Sequence, residues 1–184
     1  MFQTVSVMRK NKFTDQTKIN VHMNPKTMEG SEIIESWLNE NNYSFTKFNE
    51  PTEFFHYVVK DVGLAKLIVE IYLKKDNPSI TFGSMGIMSG NLLDVYVKLT
   101  DDDRENFIKK INELLNDFNT PYQIKHDEKS YVLSIFAHVP FMSLNKNNLV
   151  EAIELVKNAS EKCLGLGTKI LQEYREQYKK SENS

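Results

Sequence analysis

Phe54 to Lys75, FFHYVVKDVGLAKLIVEIYLKK, decides how this chain is read. Its first half is β-branched and aromatic, and Asp61-Val62-Gly63 supplies turn chemistry. In its second half Ala65, Leu67, Val69, Ile71 and Leu73 point one way, and Lys66, Glu70 and Lys74 point the other. A period of two puts the first set on a core and the second in water. The stretch is therefore predicted as an antiparallel hairpin covered on one face.

Toward the N-terminus, Pro51 within Asn49 to Glu53 makes a turn into the hairpin, and Tyr43 to Phe48 reads as a strand before it. Ser31 is an acceptable N-cap for a preceding helix, with Glu32 and Glu35 suited to its positive end. Ile33, Ile34, Trp37 and Leu38 then form one apolar stripe, and Asn41-Asn42 ends the helix. Residues 1–30 carry Arg9, Lys10, Lys12, Lys18 and Lys26 against Asp15 and Glu29, without a sustained apolar period. They read as a partly disordered extension with a short strand around Lys18 to Met23.

Toward the C-terminus, Asp76-Asn77-Pro78 closes the hairpin, and Ile80 to Met88 reads as a further strand. Gly83 and Gly86 mark it as bulged or at an edge. Ser89-Gly90-Asn91 turns the chain into Leu93 to Leu99, where Val95, Val97 and Leu99 alternate with polar neighbours as a second strand or an extended lead-in. Thr100 then caps a helix, with Asp101, Asp102 and Asp103 in its first turn. Phe107, Ile108, Ile111, Leu114, Leu115 and Phe118 give that helix one apolar face, and Thr120-Pro121 stops it. Strands at Tyr122 to His126 and Tyr131 to Val139 follow. From Asn145 to Tyr178 the pattern is helical, about 50 Å if continuous, with a break or kink expected at Gly165 and Gly167. The prediction is one α+β domain over residues 31–180, an antiparallel sheet flanked by helices in the order α-β-β-β(-β)-α-β-β-α.

The 184 residues carry a net charge of −2, which gives no global attraction to nucleic acid or to an anionic membrane. No apolar run is long enough to cross a bilayer, and the first residues lack the apolar centre of a signal peptide. The single cysteine, Cys163, excludes an intrachain disulfide and fits a reducing cytoplasm, with packing as its role.

No chemistry-bearing motif is complete. Gly83 to Gly90 lacks the Lys-Ser/Thr pair of a phosphate loop, and Gly165-Leu166-Gly167 lacks both the third glycine and the strand-to-helix setting of a dinucleotide site. His22, His56, His126 and His138 do not fall at metal-ligand spacing, and there is no Gly-x-Ser-x-Gly elbow. Catalytic, cofactor and metal residues are therefore all read as none. Aromatics and methionines near the strands either fill the core or offer adaptable contact with a partner. Met85, Met88 and Tyr96 are the candidate partner-binding residues.

The order of helix, strands, helix, strands and helix resembles the type III secretion chaperone-like (Tir chaperone-like) fold. Glu32 to Leu38, Tyr43 to Phe48 and Phe54 to Val59 are similar to the opening of an uncharacterised family of that fold, common in archaea, with its I-x-x-W-L helix and dF-x-Y-x-V strand. The resemblance spans about residues 31 to 140. It implies binding of polypeptide segments, often as a dimer, and carries over no catalytic residue. The expectation is a non-enzymatic cytoplasmic protein-binding module, chaperone- or adaptor-like, with a protein partner or homodimer and no cofactor. The alternative is a nucleic-acid-associated factor using the basic arm and sheet aromatics.

Overall fold

The computed structural model describes residues 28–182, so the basic arm and the strand expected near 18–23 lie outside the described residues. The elements run α1 (Met28–Glu40), β1 (Ser44–Phe48), β2 (Glu53–Val62), β3 (Leu67–Lys74), β4 (Ser79–Ile87), α2 (Gly90–Tyr96), α3 (Asp101–Asp117), β5 (Tyr122–His126), β6 (Tyr131–Pro140) and α4 (Lys146–Glu182), with a single 3-10 turn at Phe141–Ser143. The fold is α+β. Among the described residues one antiparallel sheet has six strands in the order β1-β2-β3-β4-β6-β5.

The opening hairpin forms as β2 and β3, with Val69, Ile71 and Leu73 buried and Lys66 and Lys74 exposed. Its turn falls later than expected. Val62 still pairs, with Leu67, and Gly63 to Lys66 make the connection, so Ala65 sits in the turn and not in the core. The shift comes from a bulge. Two residues, Lys60 and Asp61, lie between Val59↔Val69 and Val62↔Leu67, where β3 supplies only Ile68, and Asp61 takes φ 55°. That offset turns Val59 and Val62 to the same side, and both are buried. At Gly63 (φ 72°) a side chain would be strained and would also meet Lys157 and Glu161 of α4.

Helix α4 joins two cores along one side of the sheet. Its first half, through Leu149, Ile153 and Val156, packs with Ile34 and Leu38 of α1 and with Tyr57, Ile71, Ile80 and Phe82 of the sheet. Its second half, through Ala159, Cys163, Ile170 and Leu171, packs with Phe107, Ile111 and Leu115 of α3 and with Tyr131 and Ile135 of β6.

Four sequence expectations are corrected. Helix α1 begins at Met28, which places Ser31 in the first turn and not at the N-cap. There its hydroxyl lies 2.6 Å from Tyr57 Oη. Glycine-bearing β4 is neither edge nor bulged, and it pairs without interruption from Ser79↔Pro140 to Ile87↔Val132 in the middle of the sheet. Gly83 is used for side-chain room: a Cβ there would stand 3.3 Å from the Phe136 ring opposite.

The stretch expected as a strand at 93–99 is helical through Tyr96. Leu92, Tyr96 and Leu99 recur at i, i+4 and i+7, and this spacing buries more apolar surface against the second core than the alternation of Val95, Val97 and Leu99 would. Lastly, α4 runs unbroken through Gly165 and Gly167 for 37 residues, about 55 Å. Packing of its neighbours Cys163, Ile170 and Leu171 on the sheet and α3 outweighs the helix-weakening effect of two glycines. Gly167 lies against the Phe107 ring of α3 at ordinary contact distance, with room for a methyl group.

The helix from Thr100 matches its signal. The Thr100 hydroxyl accepts from the Asp103 N–H at 3.2 Å and donates to the Asp103 carboxylate at 2.8 Å.

Candidate functional site

Strand alternation combined with one-sided helix packing leaves the other face of the sheet uncovered among the described residues. The register builds a row across it: Phe48 opposes His56, His56 opposes Tyr72, Tyr72 opposes Thr81, and Thr81 opposes His138. The rings touch along the row. Phe48 and His56 have centroids 5.7 Å apart, as do His56 and Tyr72, and Phe136 stacks beside His138 at 6.5 Å. Toward the other end of the strands the face becomes aliphatic, with Ile68 of β3, Met85 and Ile87 of β4, and Val132 of β6. Ile68, Met85 and Ile87 are 53%, 61% and 66% exposed, so more than half of each residue's surface is in solvent. Lys60, Lys74 and Lys125 surround this surface, with Glu70 the acidic side chain in its middle.

His56 is the most elaborated polar group here. Its Nδ1 lies 3.1 Å from Glu53 Oε2 and its Nε2 lies 3.8 Å from Glu70 Oε2. The first contact is short enough for an ion pair but too poorly angled for a hydrogen bond, so charge attraction holds this ring when it is protonated. Thr81 Oγ1 and His138 Nδ1 are 3.2 Å apart. Among the described residues no cluster of three His, Cys, Asp or Glu side chains could hold a metal ion.

Of the three candidate contact residues, Met85 alone stands on the open face. Met88 lies just beyond β4, half-buried against the second core, with its N–H bonded to Tyr131 O at 3.0 Å. Tyr96 is fully buried on α2, its ring 5.7 Å from both Phe107 and Tyr131. Its expected place on an exposed strand is thus corrected: the helical turn carries it inward. Among the described residues the sheet edges are β1 and β5. Sequence reading missed Phe48, Ile68, Tyr72 and Ile87, although the period-two pattern of β3 already set Ile68 and Tyr72 opposite its core residues.

Cys163 is buried, and burial pushes its thiol up to about 11. It therefore packs as a small apolar side chain at neutral pH.

An antiparallel sheet with helices on one face and an aromatic-aliphatic surface on the other defines an α+β protein with one sheet face open among the described residues. Residues 31–166 match the model of the uncharacterized conserved protein family DUF2299, and the chain belongs to that family. A crystal structure of an uncharacterized protein from Methanothermobacter thermautotrophicus has the same fold, at a TM-score of 0.70 and 22% identity, covering 76% of this chain and 97% of that one. No curated protein matches the chain. Among the described residues no helix is long and apolar enough to cross a membrane.

Proposed function

We propose that this protein is a non-enzymatic binding module, chaperone- or adaptor-like, that receives an amphipathic helix of another protein on the open face of its sheet. One observation carries this reading: Ile68, Met85 and Ile87 form an exposed aliphatic patch on a sheet whose opposite face is covered by helices. A helix laid there would complete a three-layer arrangement, as α4 does on the other side. The lysines around the patch favour acidic residues flanking the partner's apolar stripe. Relation to the type III secretion chaperone-like fold is part of the reading, supported by the element order, and so is a cytoplasmic location, supported by the lone buried thiol.

The test compares the full chain with Met85→Glu/Ile87→Glu in nuclease-treated native extract, followed by cross-linking of the retained species. The expected result is a stoichiometric protein that cross-links to the open face and is lost with the double variant, while the melting temperature holds. Retention independent of these residues, or a monomer that retains nothing, overturns the proposal. A dimer lost with the same variant would make a second copy the occupant.

The cross-strand rings and the lysines around them favour a second reading, a stacking platform for single-stranded nucleic acid. It predicts oligonucleotide binding that falls steeply with salt and drops in Tyr72→Ala.

A further inference from the structure

On the open face Glu70 stands where the aliphatic patch meets the aromatic row, with Ile68 and Tyr72 two residues to either side of it on β3. An acidic side chain at that place opposes the acidic-flanked helix that the surrounding lysines favour. His56 holds the means to offset it. Its Nε2 lies 3.8 Å from Glu70 Oε2 and its Nδ1 lies 3.1 Å from Glu53 Oε2, so a carboxylate faces each nitrogen of the ring. Both nitrogens are shielded from solvent, and neither makes a hydrogen bond among the described residues.

Each strand beside the ring adds to its setting. Phe48 of β1 and Tyr72 of β3 have their ring centroids 5.7 Å from it. Lys74 of β3 pairs with Glu53 in the register, its Nζ 5.7 Å from the centre of the Tyr72 ring. With the imidazole neutral, Glu53 and Glu70 stand against Lys74 alone. With it protonated, two acidic and two cationic groups balance. Histidine changes charge near neutrality, roughly between pH 5 and 8. Glu70 carries that change to the surface, because its side chain is 47% exposed whereas that of His56 is 16% exposed.

We propose that His56 is a proton switch for the open face. Protonated, it pairs with Glu70, and the face takes an acidic amphipathic helix more tightly; neutral, it leaves Glu70 uncompensated, and the helix is released. The switch presupposes the docking proposed above and supplies its regulation.

A synthetic amphipathic helix with a leucine stripe flanked by glutamates is the probe, titrated by calorimetry against the full chain at pH 8 and pH 6. The peptide's own glutamates stay ionised across that range. Affinity should rise about three- to tenfold from pH 8 to pH 6, and Met85→Glu/Ile87→Glu should lose binding at both. His56→Gln should bind with one affinity at the two pH values. Glu70→Gln removes the opposing charge outright, so at pH 8 it should bind about as tightly as wild type does at pH 6, with little dependence on pH. That variant serves if His56→Gln does not fold.

His138, on the same face, has its Nδ1 against the Thr81 hydroxyl and not against a carboxylate. A pH dependence that persists in His56→Gln and disappears in His138→Gln overturns the switch. Equal wild-type affinity at the two pH values also overturns it and leaves the docking intact. No binding of the peptide at either pH overturns the docking and the switch with it.

Discussion

Gly167 of α4 lies against the ring of Phe107 in α3, at a distance where a methyl group on residue 167 would touch Phe107 Cζ at 3.6 Å without collision. At Gly165, two residues earlier, a Cβ would meet nothing within 4 Å. Neither has a positive φ, and α4 runs through both. The glycines therefore weaken a helix that has no need of their freedom.

Gly165→Ala and Gly167→Ala should each stabilise the protein, by about 0.5–1 kcal/mol through helix propensity and a less flexible unfolded chain. The gain at 167 should be the larger, since the new methyl packs on Phe107. Urea denaturation measures both. A loss of stability at either position would mean that α4 bends there, as the sequence by itself suggests.

Around Tyr57 a polar cluster ties α1 to β1 and β2. The Glu35 carboxylate accepts from Lys47 Nζ at 2.7 Å, from Tyr57 Oη at 3.0 Å and from Ser31 Oγ at 3.3 Å. The Lys47 bond is the main reason that its carboxyl is held below the usual range, against an opposing effect of partial burial. A lowered folded value means that the unfolded chain takes up the proton first as pH falls. The stability it supplies is thus present above the ordinary glutamate value near 4.5 and is lost below it as pH drops through the folded value. Glu35→Gln should cost under about 1 kcal/mol at pH 7, as is usual for a partly exposed pair. That difference from wild type should shrink toward zero as the pH falls below 4.5 and through the lower folded value. Denaturation curves across this range give the comparison, and a difference that stays constant with pH would assign the cost to packing.

Cys163 gives the opposite sign. Its folded value of about 11 stands above the ordinary 9.0, so above pH 9 the unfolded chain ionises while the folded one does not. Stability should fall as pH rises from 9 toward 11, and Cys163→Ala should lack that part of the slope. At pH 8 about one native molecule in a thousand would carry the thiolate, so a disulfide-exchange reagent should react far more slowly than with the urea-unfolded chain. Equal rates in the two states would show a thiol open to solvent.

Local patterns were legible wherever one period dominated. The alternation of Val69, Ile71 and Leu73 and the Thr100–Asp103 cap each concern residues within a few positions of one another, and both appear in the structure. Short segments with two competing periods were not legible. Leu92 to Leu99 satisfies both a strand and a helix, and the second core decided for the helix because that form buries Tyr96 and Leu99 together. The candidate site divided the same way. Met85 was readable as outward-facing, but Tyr96 turned inward with its helix.

The sequence by itself determined an α+β chain with an amphipathic hairpin, a capped helix, one inert thiol and no complete motif of catalysis or metal binding. Only the tertiary structure decided that Phe48, His56, Tyr72, Thr81 and His138 form one row on an open face. It also decided that α4 stays whole through Gly165 and Gly167. The physical reason is sequence separation. Periodicity reports which way each side chain points within its own element, whereas strand register and helix docking are set by contacts between residues far apart in the chain, which no local pattern encodes.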